Sequence, residues 1–296
     1  MSARAWAAFA AVSVLWGIPY LFIKVAVDDG VPPVFLAWVR VLLGAAVLLA
    51  LAARAGVLGS VRGRLGVLAV YALIEIAVPF PLIAEGERHV SSSLTAILIA
   101  TVPMNVALLA VRFDPSERVT GVRLAGLVVG FAGVVALVGI DLEGELLGAL
   151  AILLAAVGYA AGPMLLNRRF RDLDPRATMA VSLLLAGLYL TPFALLDAPD
   201  RSPSGDALAS LAVLGVLCTA AAFVFFGVLI ADVGPGRASI ITYVAPVVAV
   251  LLGVLVLDER LGPGAIAGLV LILAGSWLST DGRLPWRRSG LQVSGP

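Results

Sequence analysis

Residues 95–134 read TAILIATVPMNVALLAVRFDPSERVTGVRLAGLVVGFAGV, and a related stretch recurs in the second half of the chain. Pro103 is matched by Pro246, 143 residues later, and after a one-residue slip Glu117 is matched by Glu259. The same spacing relates further identical residues: Val90 and Val233, Ile97 and Ile240, Leu108 and Leu251, Leu109 and Leu252, and Val111 and Val254. This recurrence indicates an internal duplication whose unit is close to half the chain.

Composition indicates the environment of the two halves. Hydrophobic residues make up 61 % of the 296 positions, charged residues make up 13 %, and the mean hydropathy is +1.08. A soluble domain cannot bury so much apolar surface, so we expect an all-α integral membrane protein. The single Cys218 excludes a disulfide scaffold and the single His89 leaves no histidine cluster for a metal. The net charge of +1 predicts no nucleic-acid partner, and no cofactor is expected.

Hydropathy predicts ten transmembrane helices, because apolar stretches of about 20 residues, each long enough to cross the hydrocarbon, occur at ten places. These places are residues 5–25, 32–53, 65–84, 92–111, 120–139, 146–166, 176–196, 207–231, 237–256 and 263–280. The duplication divides them into a first five-helix repeat over residues 1–140 and a second over 141–281. Residues 282–296 are left as a tail.

The basic residues predict the orientation, since Lys and Arg are retained on the cytoplasmic side. With the amino terminus inside, the inner segments hold fifteen of the 20 Lys and Arg residues and the outer loops hold four, with Arg40 inside the membrane. Both termini are therefore expected in the cytoplasm, with the protein multi-pass in the cell membrane. Because each repeat has five spans, the second copy enters from the opposite side, and such inverted repeats are typical of secondary transporters.

A family resemblance follows from particular residues. Trp16-Gly17, Arg40, the run from Ser91 to Pro103 and its echo from Gly234 to Glu259-Arg260 resemble the EamA-type members of the drug/metabolite transporter superfamily. The resemblance covers nearly the whole chain. It implies ten helices in two inverted five-helix repeats, a central cavity between helices one to four and six to nine, and export of small metabolites, amino acids or drugs. It fixes neither the substrate nor whether protons are coupled.

Charges within the hydrocarbon are the first site candidates, because they are costly there unless they function. Arg40 lies about eight residues, or roughly 12 Å, from the outer end of its helix, and Glu75 lies roughly 14 Å from the outer face. The shared depth allows an Arg40–Glu75 ion pair, either structural or functional, and whether the two residues pair is left open. In the functional hypothesis Arg40 attracts a carboxylate of the substrate, while Glu75 takes up a proton and releases Arg40.

Aromatic residues and prolines complete the predicted substrate site. Tyr71 and Glu75 share one face of helix three, and Trp16 and Tyr20 share one face of helix one. Each of these rows could line the cavity or only pack helices together. The remaining members are Tyr159, which corresponds to Trp16 in the repeat, Tyr243, and the two prolines Pro103 and Pro246, for which kinks are expected as well as cavity lining.

Two other functions are weighed. An intramembrane enzyme would need a nucleophile with a base or a metal site, yet the sequence has no HExxH, no GxSxG and no Cys/His pairing, so no catalytic residue is expected. A carrier of phosphorylated sugars or nucleotides would need several basic groups in the cavity, where the sequence offers Arg40 with Lys24 at the rim. Neutral or zwitterionic amino acids and aromatic metabolites fit better. The oligomeric state is left open.

Overall fold

The computed structural model describes residues 1–113, 121–138, 145–169 and 173–279, and within these ranges it contains helices and no β-strand. The first half contains α1 (Ala3–Gly17 and Pro19–Asp28), α2 (Pro33–Arg54), α3 (Leu65–Glu87), α4 (Ser92–Ile99 and Val102–Phe113) and α5 (Val122–Val138). The second half contains α6 (Leu146–Arg169), α7 (Pro175–Leu196), α8 (Gly205–Val233), α9 (Ile241–Val256) and α10 (Pro263–Ser279). Single helical turns, Leu58–Val61 and Pro235–Ala238, precede α3 and α9.

Seven of these helices, α1 to α4 and α6 to α8, are long and apolar enough to cross a membrane. The other three, α5, α9 and α10, are apolar but have only 16 or 17 residues. A 17-residue helix rises about 25 Å, somewhat less than a hydrocarbon core of about 30 Å. A helix therefore lies at each place that hydropathy predicted, and the protein is a multi-pass membrane protein.

The outer surface of the helix bundle is apolar. Leu147 in α6 is 76 % exposed and Leu196 at the end of α7 is 88 % exposed, and many other large apolar side chains also point outward. A monomeric soluble protein rarely exposes continuous apolar surface of this extent, because water solvates it poorly. These side chains are instead suited to contact with lipid.

Helix packing relates the two halves in pairs. Three contacts join a helix to its counterpart in the other half: α2 with α7, α4 with α9, and α5 with α10. Two further contacts are each repeated with the halves exchanged, because α3 packs on α6 as α8 packs on α1, and α4 packs on α6 as α9 packs on α1. Exchange of the halves therefore leaves these contacts unchanged.

Both α3 and α8 contain a π-helical segment at corresponding places in the repeat. These segments are Leu73–Ala77 and Val213–Ala221. In α3 the amide of Val78 donates to the carbonyl of Leu73, five residues back, immediately before Pro79 interrupts the ladder. A π segment turns the side chains that follow it about the helix axis and is frequent at functional sites.

Glu259 connects the halves at one end of the bundle. Its carboxylate accepts hydrogen bonds from the amides of Ser92 and Ser93, at 2.7 and 3.0 Å, and from the Ser93 hydroxyl. These amides lie in the first turn of α4, where helix N–H groups have no partner of their own and the helix dipole favours negative charge. Glu259 thus fixes the start of a helix from the other half. Its repeat counterpart Glu117 lies outside the described residues.

Glycines allow α5 and α10 to pack closely. An added Cβ at Gly126 would lie 2.8 Å from the carbonyl oxygen of Gly275, and one at Gly268 would lie 3.1 Å from that of Gly133. A Cβ at Gly275 would meet the backbone of Gly130. The two backbones are therefore in direct contact, in the manner of small-residue interfaces in membranes.

We expect Gly275→Val to destabilise the protein, because its side chain would collide with the backbone of α5. Overpacking of this kind costs about 1–3 kcal/mol or more. The matched control is Gly227→Val in α8, where an added Cβ meets nothing within 4 Å. The thermal unfolding midpoint in detergent micelles checks this. Equal midpoints for the two variants would contradict the close packing of α5 and α10.

Candidate functional site

Arg40 is the centre of the candidate site. It lies in the middle of α2 on the helix face that also buries Leu36 and Gly44, and only 7 % of its surface is exposed. The spacing of four residues places these three side chains in one stripe. Arg40 therefore occupies a position where the helix otherwise presents apolar or small residues to the protein interior.

The guanidinium of Arg40 is held by neutral groups. Its Nε donates a hydrogen bond to Oγ1 of Thr219 at 3.1 Å, and its Cζ lies 4.1 Å from the centre of the Phe80 ring. Thr219 in turn donates to the carbonyl of Leu214 at 2.8 Å, five residues back in the π segment of α8. A guanidinium over an aromatic face is stabilised by the ring quadrupole. Its other N–H groups make no hydrogen bond to the described residues, which leaves them available to an anionic ligand.

Arg40 and Glu75 are not paired. No acidic oxygen of the described residues lies within 4.0 Å of the Arg40 nitrogens. Glu75 lies in the π segment of α3, and its Oε2 is directed against Gly162 of α6, where it is buried without a hydrogen-bond partner. The two side chains do not meet although they lie at equal depth, because Arg40 faces α8 whereas Glu75 faces α6. Gly162 provides the space, since any Cβ there would overlap the carboxylate.

Tyr159 of α6 lies near both charged groups. It lies close enough to both Arg40 and Glu75 for their charges to act on its hydroxyl. Its ring meets Phe80 edge-on, with centroids 6.3 Å apart and planes at 88°. Tyr20 of α1 is near Tyr159 and Arg40 as well. Three helices, α1, α3 and α6, thus place aromatic groups around Arg40.

Tyr71 lies at the edge of this arrangement. It is 3 % exposed, it is near Glu75 and Tyr159, and its hydroxyl lies 3.7 Å from Sδ of Met179 in α7. Tyr71 and Glu75 therefore share a region between α3, α6 and α7. The predicted row on α3 is present there.

The other predicted site residues have their contacts elsewhere. Trp16 packs against Phe223 and Phe226 of α8, with ring centroids 5.8 and 4.8 Å apart. The hydroxyl of Tyr243 donates to the carbonyl of Ser276 in α10 at 3.4 Å. These contacts connect helices, and a substrate role for Trp16 and Tyr243 stays a prediction.

The two prolines differ in their effect on the helices. Pro103 follows an interruption of α4 at Ala100 and Thr101, where the Ala100 carbonyl accepts a hydrogen bond from Oγ of Ser276 at 2.9 Å. Pro246 lies inside α9, which continues through it. A freed carbonyl in a membrane helix needs another partner, and α10 supplies one in the first case. Cavity lining by either proline stays a prediction.

Two members of the site were absent from the sequence prediction. Phe80 and Thr219 contact Arg40 directly. Thr219 is a polar residue within the apolar run of α8, beside Cys218, the repeat counterpart of Glu75. A polar residue at that place in the sequence could have indicated a role for Thr219. No sequence feature distinguished Phe80, because phenylalanine is common in membrane helices.

A small cavity lies apart from Arg40. It has a volume of about 140 Å³ between α4, α5 and α6, and its lining residues include Thr101, Asn105 and Phe131. Neither Arg40 nor any other charged residue lines this cavity. Among the described residues, no three His, Cys, Asp or Glu side chains are grouped as ligands for a metal.

The sequence matches the model of the EamA-like transporter family twice, over residues 4–139 and 146–280. The chain belongs to this family. Similar proteins include an uncharacterized inner membrane transporter, YedA, of Escherichia coli, with 30 % identity over 82 % of this chain and 79 % of that protein. A probable amino-acid metabolite efflux pump of the same organism is 28 % identical over 94 % of this chain and 95 % of that protein.

Two further similarities cover nearly all of both chains. An uncharacterized transporter of Bacillus subtilis, YoaV, is 25 % identical over 91 % of this chain and 94 % of that protein. A protein of known crystal structure has a TM-score of 0.67 over 95 % of this chain and 98 % of its own, at 21 % identity. The structural similarity supports the fold alone. The family and the names of these relatives indicate a membrane transporter.

We expect Thr219→Val to lower the thermal unfolding midpoint, because it removes the acceptor for the buried Arg40 Nε at a cost of about 1–3 kcal/mol. The matched control is Thr242→Val, because the Thr242 hydroxyl donates only to the nearby Ser239 carbonyl. In an Arg40→Met background the Thr219→Val change should cost much less, since the two residues then no longer interact. Additive effects of the two substitutions would contradict the Arg40–Thr219 interaction.

Proposed function

We propose that this protein is a secondary transporter that exports small metabolites such as amino acids or aromatic and drug-like compounds across the cell membrane by alternating access. All ten helices cross the bilayer in this proposal, as inverted five-helix repeats over residues 1–140 and 141–281. Both termini, with the tail 282–296, are cytoplasmic. The observation that carries the proposal is Arg40, the one buried cation among the described residues, which lies beside aromatic groups between two halves that make equivalent contacts.

The paired contacts support the inverted arrangement. An odd number of spans in each half turns the second copy over, and a two-fold axis in the membrane plane then relates the halves. Contacts between counterparts, such as α2 with α7, and repeated contacts, such as α3 with α6 and α8 with α1, are those that this axis requires. Two similar, opposed halves give states of similar energy that are open to opposite sides.

The surroundings of Arg40 support a substrate with one carboxylate and an apolar or aromatic part. The free N–H groups of the guanidinium suit a carboxylate, and hydrogen bonds to charged groups contribute about 1.5–3 kcal/mol each. Phe80, Tyr159 and Tyr20 offer aromatic surface beside it. The Escherichia coli relative that is named as a probable amino-acid metabolite efflux pump agrees with this class.

A phosphorylated sugar or nucleotide fits this site less well. Such cargo carries two or more negative charges and would need several cations nearby. Lys24, the other cation predicted near the cavity, donates to the Glu87 carbonyl at 2.9 Å and pairs with Asp28 at 3.1 Å. Arg40 is thus left to meet the anion without a second free cation among the described residues of the cluster.

Glu75 is the proposed proton acceptor near mid-depth. Its buried Oε2 has no hydrogen-bond partner among the described residues, and an ionised carboxylate in that position would be very costly. Protonation of Glu75 makes the carboxyl group neutral and so avoids the cost of a buried charge. Because Glu75 is separate from Arg40, the proton acts through Tyr159 and the packing of α3 on α6 rather than by release of a direct ion pair.

Counterflow into proteoliposomes tests the substrate class. With labelled phenylalanine and a panel of amino acids and aromatic acids, we expect exchange that falls about 10-fold or more in Arg40→Gln, in line with the loss of one charged hydrogen bond. The control is Arg88→Gln, which removes an exposed arginine paired with Glu85. Preference for a sugar phosphate would favour the alternative carrier. Turnover of a lipid or peptide without sealed vesicles would favour an enzyme.

Site-specific labelling tests the inversion. In a Cys218→Ala background, we expect Arg260→Cys to react with a membrane-impermeant maleimide added outside whole cells, because Arg260 is exposed at the predicted outer face. Its repeat counterpart, Arg118→Cys, should react only after the cells are opened. Labelling of both from the same side would contradict the inverted repeats.

A further inference from the structure

Glu87 is a second buried carboxylate, distinct from Glu75. It is the last residue of α3, it is 0 % exposed, and both of its carboxylate oxygens are buried without a hydrogen-bond partner among the described residues. The carboxylate has no counterpart in the repeat, because the corresponding residue in the second half is Ile230. A buried polar group with no partner is costly in any protein, and an ionised one is more costly still.

The charged groups around Glu87 come from three other parts of the bundle. Lys24 and Asp28 lie on α1, Arg40 lies on α2, and Glu259 lies before α10. The hydroxyl of Tyr20 on α1 is also near. On its own helix the neighbouring Glu85 is exposed, and it pairs with Arg88 and His89.

None of these groups neutralises the carboxylate directly. The Nζ of Lys24 lies 2.9 Å from the main-chain carbonyl of Glu87 and 3.1 Å from the carboxylate of Asp28. Glu259 is committed to the amides of Ser92 and Ser93. The Nζ of Lys24 is thus bonded to other oxygens, and removal of water from an unpaired carboxylate is costly.

We propose that Glu87 is a second proton-binding site, which takes up a proton from the outer solution when this end of the bundle closes and releases it when the end opens. The side of the membrane, and the opening itself, rest on the proposed function. In the closed arrangement the carboxyl is neutral. On opening, water reaches it, the O–H proton leaves to the outer solution, and Lys24 can pair with the resulting carboxylate while keeping its own protons.

The consequence is a response to external pH. Each closure binds one proton at Glu87, so a lower external pH favours the closed outer end by mass action. Glu75 lies at a different place, between α3 and α6, so its protonation is separate from that of Glu87. A transporter with both groups could admit a proton from outside at Glu87 without direct contact between the proton and the substrate at Arg40.

Hydrogen–deuterium exchange of the full chain in nanodiscs tests the proposal without any substrate. Peptides covering residues 20–31 and 84–95 are followed between about pH 5 and pH 8, with rates corrected for intrinsic exchange. We expect wild-type protection in both peptides to rise as the pH falls. Glu87→Gln, which resembles the protonated form, should show high protection at every pH and exchange several-fold more slowly than wild type near pH 8.

Two controls isolate Glu87 from its neighbours. Glu85→Gln removes the other carboxylate at this end of the same helix, and His89→Gln removes the imidazole that contacts it. Both should keep the wild-type response. Loss of the response in His89→Gln, or an unchanged response in Glu87→Gln, would overturn the proposal. If Glu87→Gln does not fold, Glu87→Asp should fold and retain a pH response, and a flat profile for that variant would overturn it too.

The side of the membrane is read separately. In sealed vesicles with different pH on each side, protection should follow the pH on the face that carries Arg260. Dependence on the opposite face would overturn the assignment to the outer solution. Failure of the counterflow experiment leaves these outcomes unaffected, so the proton site and the transported substrate are tested independently.

Discussion

Within the hydrocarbon, every polar group must find its partner inside the protein, and this constraint organises the structure. The regular helices meet it with their own backbone hydrogen bonds. The informative places are those where the ladder departs from α-helix: the interruption of α4 before Pro103, and the π segments of α3 and α8. In α4 and in α8 a side chain bonds the carbonyl that the irregular turn leaves free. Ser276 donates to the Ala100 carbonyl, and Thr219 donates to the Leu214 carbonyl while accepting from Arg40.

The irregular turns therefore supply the scaffold with polar groups where a substrate is proposed to bind. Thr219 and Glu75 both lie in π segments, at nearly corresponding places in the two halves. The duplication provides the framework and the divergence of its copies provides the chemistry, because Leu183 corresponds to Arg40 and Cys218 corresponds to Glu75. The principal helix contacts are thus nearly symmetric, while Arg40 and Glu75 have no charged counterparts in the second half.

The sequence predicted the location of the helices well because hydropathy varies along the chain, and a length of apolar residues is a one-dimensional property. It predicted contacts between them less well. The depths of Arg40 and Glu75 followed from counting residues, yet their directions around the helix axes did not, and the π segment in α3 added a rotation that no residue count contains. Phe80 and Thr219 were missed for the same reason. Close packing at Gly126 and Gly268 does have a signal in the sequence, because each belongs to a pair of glycines four residues apart.

The end of the bundle that carries Arg260 shows how such a structure can be closed and yet be able to open. Besides the partly buried hydrogen bonds of Glu259 to Ser92 and Ser93, contacts across the halves there use exposed groups. Arg201 donates to the Asp29 carbonyl at 2.8 Å, and the Ser204 amide donates to the Asp29 carboxylate at 2.9 Å. Exposed polar contacts of this kind contribute little each, because water competes for both partners. Glu87 differs from them, since it is fully buried and its carboxylate gains solvation when the helices separate. The balance between closed and open at this end is therefore set less by the number of contacts than by whether that one carboxyl group carries a proton.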